Sequence, residues 1–205
     1  MTAEVAGLGS ARIDAGRSSL LNLLNLPAPA DLPQESAVVV EVPVAEALIR
    51  RYRDRLDASA PWGVPAHVTV LYPFAPPGLI TGEQLGTLAA AVASVPAFDC
   101  ALRRTAWFGT EVLWLAPVPD GPFRALSRAV HAAFPQYPPY GGSYDDPVPH
   151  VTVGHTPPAT LEQLREAEPS VQHGLPLQIR VSHASLITGS QAAGSWRSIA
   201  RLPLG

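Results

Sequence analysis

The chain has 205 residues, 47% of them apolar, one cysteine, and a formal net charge of −3 from 17 acidic and 14 basic residues. That length and apolar share suffice for one large domain with a real core, a single Cys excludes a disulfide framework, and no internal run of about 18 apolar residues is present to span a membrane. All 14 basic residues are Arg and acids outnumber them, which argues against a protein that grips an extended nucleic-acid duplex, because phosphate contacts to a basic face supply most of that affinity.

Residues 1–35 are rich in Ala, Gly, Ser and Pro, with one short apolar stretch at Leu20–Leu26 followed by Pro27, Pro29 and Pro33. This reads as an extension carrying one short helix capped by Ser18 or Ser19, tied on by a Pro-rich linker, and no chemistry is assigned to it. The N-terminus lacks the cationic start and apolar block of a secretory signal, so the expected location is cytoplasmic.

From residue 36 the pattern changes. An apolar strand, Ala37 to Val42, leads through Pro43 into a helix over 44–57 with Ala45, Leu48, Ile49, Tyr52 and Leu56 at helical spacing. His67-Val68-Thr69-Val70 follows, then a helix over 81–95 opened by Thr81, then an apolar run from Phe98 to Phe108. The order then repeats: a strand at Val112–Ala116, a helix with Phe123, Leu126, Ala129, Val130 and Phe134 on one stripe, and His150-Val151-Thr152-Val153. A helix over 160–168 and strand-like runs at 177–187 and 196–202 complete it. The spacing predicts two βαβαβ-like halves, about 36–110 and 111–205, with the boundary near Gly109, together forming one domain over 36–205.

The duplicated tetrapeptide is the feature that carries chemistry. On a strand the period of two puts each His and its Thr on one face and the two Val on the other. Two imidazoles across a cleft can serve as base and acid on opposite sides of a phosphorus, since an unperturbed His titrates near about 6.5. The Thr hydroxyls on the same face can donate to the non-bridging oxygens. Metal binding competes poorly: zinc wants three or four ligands, and His150 and His155, five apart on a strand and its exit, are expected on opposite faces. No Gly-x-Ser-x-Gly elbow is present, and Gly141-Gly142 lacks the downstream Lys of a P-loop.

Taken together, His67-Val68-Thr69-Val70-Leu71-Tyr72-Pro73-Phe74, Pro149-His150-Val151-Thr152-Val153 and the preceding Tyr137-Pro138-Pro139-Tyr140-Gly141-Gly142 resemble the two-histidine (2H) phosphoesterase superfamily and its bacterial 2′-5′ RNA ligase-like group, over residues 36–205. The resemblance implies an α+β, bilobal, pseudo-symmetric fold in which two antiparallel sheets line a central groove with helices outside. It implies metal-independent opening of 2′,3′-cyclic phosphates, on nucleotides or RNA 3′ ends, to 2′-phosphates. His67 and His150 would be acid and base, and Thr69 and Thr152 would clamp the phosphate, with no cofactor or metal. The alternatives are a non-catalytic nucleotide or RNA-end binder, and a 2′-5′ RNA ligase or hydrolase of another cyclic or 2′-5′-linked nucleotide. The partner expected is a small cyclic nucleotide or an RNA 3′ end, and the chain is expected to be a monomer.

Many members of that group carry an Arg five residues after the second motif His, where this chain has His155. A His supplies less fixed charge at neutral pH, which leaves room for a small cyclic phosphate as substrate. His155, Phe74, Tyr140 and Tyr144 are the candidate substrate-binding residues, the aromatics by stacking on a base. Strand parity assigns Tyr72 to the core with the Val residues. Trp107, Trp114 and Cys100 read as packing residues, His131 and His173 as surface, and His183 as structural. Asp145 and Asp146 read as loop-solvating, and Arg50, Arg51, Arg53 and Arg55 as the solvated face of their helix.

Overall fold

The computed structural model describes residues 32–144 and 146–205; of the extension and linker expected over residues 1–35, residues 1–31 with the short helix lie outside the described residues, as does Asp145, and Glu35 already belongs to the first strand. Helix α1 (Pro43–Leu56) begins with a proline, whose missing N–H is harmless in the first turn. Ala45, Ile49, Tyr52 and Leu56 form its buried stripe. Helices α2 (Gly82–Ala93) and α4 (Leu161–His173) start with the same device. Thr81 and Thr160 accept from the backbone N–H of Gln84 and Gln163, whose side chains accept from the Thr N–H in return, so two exposed donors are satisfied at each start. Helix α3 (Gly121–Ala133) buries Phe123, Leu126 and Val130. Helix α4 runs past Pro169, longer than expected. Pro169 is exposed, while Leu164, Ala167 and Val171 keep packing on the buried side.

Eight strands occur among the described residues: β1 (Glu35–Glu41), β2 (His67–Leu71), β3 (Phe98–Phe108), β4 (Val112–Val118), β5 (Val151–His155), β6 (Leu177–Val181), β7 (His183–Gly189) and β8 (Arg197–Pro203). They pair antiparallel in the order β6-β3-β4-β5-β2-β1-β7-β8. The two sheets expected are therefore joined into one, through a ladder of a single pair, Val68 opposite Val151. The sheet also curls: only Ser182 separates β6 from β7, and there the two ends approach, with Leu204 N–H donating to the Ser182 carbonyl at 3.0 Å and Ala97 N–H to the Gly205 carbonyl at 2.8 Å.

The sequence halves are interwoven. Strand β3 pairs with β4 and β6, while β7 pairs with β1. Helix α1 packs on β5, and α3 packs on β2. Residues from all four helices share the main core with Val68, Val70, Val151 and Val153. On the opposite face of β1 only a small cluster forms, with Ala37, Val39, Val64, Ile187 and Trp196, and no α-helix contributes to it. That face is left open as a groove.

Candidate active site

Both motifs flank the seam where the sheet halves meet. Val68, Val70, Val151 and Val153 point into the core, while His67, Thr69, His150 and Thr152 line a cavity of about 350 Å³ on the open face, as the period of two requires. Continuing the register of the Val68–Val151 pair places His67 across from Thr152 and Thr69 across from His150. Each imidazole thus has the other motif's hydroxyl as its direct neighbour. The two imidazoles stand on a diagonal of this ladder, where neighbours are roughly 7–8 Å apart or a little less, and both line the same cavity.

Immediately after each Thr the ladder slips by one residue. Val38 pairs with Leu71 but Val39 with Thr69, so Val70 is an extra residue on β2. Leu113 pairs with Gly154 but Trp114 with Thr152, so Val153 is the matching extra residue on β5. A bulge of this kind reverses the alternation beyond it. Two expectations are corrected as a result. Tyr72 faces the groove instead of the core, and His155 lies on the same face as His150 instead of the opposite one; both line the cavity.

The two catalytic candidates are held identically. His67 Nδ1 lies 2.7 Å from the Pro65 carbonyl and His150 Nδ1 lies 2.7 Å from the Val148 carbonyl. A carbonyl only accepts, so each Nδ1 carries the proton and each Nε2 is the nitrogen free for chemistry. Burial pushes both imidazoles below their ordinary value, and for His67 the nearby Arg53 charge adds to this, against the opposing effect of the carbonyl bonds. Phe108 and Trp114, stacked at 4.7 Å, box the His150 ring, with Phe108 edge-on at 4.9 Å.

The sequence model of the 2′-5′ RNA ligase superfamily matches residues 40–192, a span that contains both His-x-Thr strands. The chain belongs to that superfamily. Three solved structures show the same fold at low identity. They are E. coli LigT complexed with NADP+ (17% identity, TM-score 0.50, covering 84% of this chain and 98% of LigT), a phosphoesterase (16%, 0.52, 84% and 99%), and TT0787 of Thermus thermophilus (17%, 0.51, 82% and 97%). No curated protein is similar enough to match.

Within this member of the 2′-5′ RNA ligase superfamily the groove has a charged floor. Arg53 is 2% exposed, which corrects its assignment to the solvated helix face; Arg50, Arg51 and Arg55 are exposed as expected. The Arg53 guanidinium donates to Asp57 Oδ2 at 2.9 Å, Glu46 Oε2 at 2.9 Å and the Val64 carbonyl at 2.9 Å. Glu46 also accepts from the Ala66 N–H at 2.6 Å, next to His67. Position 53 falls four residues after Ile49 on the buried stripe, and that spacing was the signal available in the sequence.

Asp57 in turn meets His155, whose Nε2 is 3.6 Å from Asp57 Oδ1 and 3.4 Å from the Ala58 N–H. Neutral, that nitrogen accepts from Ala58; protonated, it faces the carboxylate. Asp57 raises the His155 imidazole above its ordinary value against the effect of burial. Burial alone would raise the Asp57 carboxyl, but His155, Arg53 and Ser59 hold it well below the usual carboxylate range.

Tyr140 lines the groove together with Thr69 and has its backbone in the left-handed region at φ 51°. Its N–H donates to the Tyr72 carbonyl at 2.6 Å. Tyr144 packs edge-on against Tyr140 but is 64% exposed and outside the groove lining. Phe74 does not reach the groove; it is 4% exposed and sits edge-on to Phe134 and Tyr137 in the core, because the chain turns inward after Leu71. Asp146 pairs with Arg124 at 2.6 Å, and the Val148 carbonyl, not a carboxylate, orients His150. Cys100 is buried, and burial together with Asp99 pushes its thiol up to about 11. Trp62, Trp196 and Glu35 also line the groove; local periodicity gave no sign of them, because loop packing and strand pairing bring them there. No group of three or more His, Cys, Asp or Glu able to hold a metal occurs among the described residues, and no helix there is long and apolar enough to cross a membrane.

Proposed function

We propose that the groove opens 2′,3′-cyclic phosphates of nucleotides or RNA 3′ ends to 2′-phosphates by His/His acid–base catalysis without a metal. The observation that supports this reading is the pair of free Nε2 atoms on one groove, set diagonally across the β2–β5 seam with a Thr beside each. One imidazole takes a proton from water as its oxygen attacks phosphorus. The other, protonated, gives its proton to the 3′ oxygen as the P–O3′ bond breaks, so an oxygen enters on one side and leaves on the other. Thr69 and Thr152 donate to the non-bridging oxygens as charge builds there, and His155, whose protonated form Asp57 favours, adds a cation when it holds its proton. A cavity of about 350 Å³ suits one nucleotide, and the NADP+ in LigT supports a nucleotide as the ligand class. A cytoplasmic setting fits the single free thiol.

The test is turnover of 2′,3′-cyclic nucleotides and of RNA ending in a cyclic phosphate, in the presence of a chelator. Wild type should turn over, and His67→Ala and His150→Ala should each lose at least about 10²-fold in kcat. Tight binding without turnover in wild type would establish a binder instead.

A further inference from the structure

At the β1–β7 end of the groove a second set of residues is built around one carboxylate. Along the groove face of β1 the side chains run Glu41, Val39, Ala37, Glu35, and Val39 is the partner of Thr69. Glu35 is four residues further, about 13 Å along the strand at about 3.3 Å per residue. That is the scale of a nucleoside reaching from its phosphate to the far edge of its base. Ala37 and Ile187 form the apolar surface between, and Trp62 and Trp196 the wall.

The wall is fixed in place. Trp196 N–H donates to the Trp62 carbonyl at 2.9 Å, and Gly194 N–H to the Pro61 carbonyl at 3.0 Å. The Trp196 ring lies over Gly189, the strand partner of Glu35, so closely that a Cβ there would overlap it. At the end of this slot Tyr72 Oη donates to Glu35 Oε2 at 3.0 Å. Burial and the Glu35 charge push the Tyr72 hydroxyl up to about 12, so its proton stays on that bond. What the Glu35–Tyr72 pair itself offers a ligand is acceptors: the free Oε1, the remaining lone pairs of Oε2, and those of Tyr72 Oη.

We infer that this slot is a base-specificity site in which Glu35, held by Tyr72, selects guanine by accepting from its N1–H and 2-amino group. Guanine alone among the four common bases offers two adjacent donors on one edge, the match for a carboxylate. Adenine and cytosine offer one amino group beside an acceptor, and uracil one N–H between two acceptors, which would face Glu35 oxygen to oxygen. The carboxylate also repels phosphate, so a nucleotide enters with its anion toward the histidines. This assignment rests on the reading of the groove as a nucleotide site.

Two readouts separate the inference from that reading. In turnover, kcat/KM for guanosine 2′,3′-cyclic phosphate should exceed that for the adenosine, cytidine and uridine compounds by at least about tenfold. It should fall for the inosine compound, which lacks the 2-amino group, and for the 1-methylguanosine compound, and Glu35→Gln should bring the guanosine ratio to about one. In binding, calorimetry with the four nucleoside 2′-monophosphates should show the same order. Turnover with equal kcat/KM on all four bases overturns the guanine assignment and leaves the hydrolase standing. Selective binding of guanosine 2′-monophosphate that Glu35→Gln abolishes, without any turnover, supports the assignment and overturns the hydrolase. Binding without base preference, or preference for another base, overturns the assignment.

Discussion

The half-buried imidazoles His67 and His150 should set the pH behaviour of the groove. Both are pushed below about 6.5 by loss of water around their charged forms. In the proposed mechanism the working state holds one proton between the two, so its population in the free protein should peak on the acid side of about pH 6.5 and fall about tenfold per unit above the higher of the two coupled values. A kcat/KM profile should therefore decline continuously from about pH 7 to about pH 9. His155 has the opposite sign. Its value is raised by Asp57, so the stability it contributes is present below about 6.5 and is lost as pH rises through its folded value. Thermal melts should show His155→Asn costing more at about pH 5.5 than at about pH 8.5. Removing the Arg53 cation leaves Asp57 facing its buried site without its main partner, and Arg53→Met should cost about 3–5 kcal/mol in urea unfolding. Of these groups the motif residues were legible from their repeat, since an alternating pattern assigns faces without knowledge of partners. Arg53 was legible in principle from its place on the α1 stripe, but its long reach and charge read equally as a solvated face until its acceptors are seen.

The bulges at Val70 and Val153 decide which side chains share the groove. They turn a pattern that would bury Tyr72 and send His155 away into one that gathers both beside the motifs. Valine carries no mark of a bulge, which is why parity misassigned the two residues five places after each His. On β5 the slip has a visible counterpart: Gly154 follows the extra residue, and a Cβ there would meet the Leu56 carbonyl at 2.8 Å and Leu164 Cδ2 at 2.9 Å. Backbone cannot yield as a flexible side chain does, so Gly154→Ala should destabilise by about 1–3 kcal/mol. It should also reduce activity, because β5 must shift away from α1 and carries Thr152 and His155 with it. Phe74 failed as a stacking residue for a related reason: aromatic type alone does not say on which side of a turn the ring falls.

The order of elements and the duplication of a strand–helix–motif unit were readable along the chain, because they depend on local periodicity. The pairing was not, because it joins residues far apart. Strand β3 belongs in sequence to the first half and in space to the second, while β7 and β8 do the reverse, and each half's first helix packs on the other half's motif strand. Neither half keeps a complete sheet or core alone. Urea unfolding followed by fluorescence and by circular dichroism should therefore give one coincident transition, and fragments 36–110 and 111–205 expressed separately should not fold.

The central claim is that both imidazoles and both hydroxyls converge on one anion, and histidine-selective ¹⁵N NMR tests it without assuming a substrate. Titration with inorganic phosphate should shift Nε2 of His67 and His150 together and raise both midpoints, with Thr69→Val and Thr152→Val weakening the response. A response confined to one histidine, or to neither, would contradict the account.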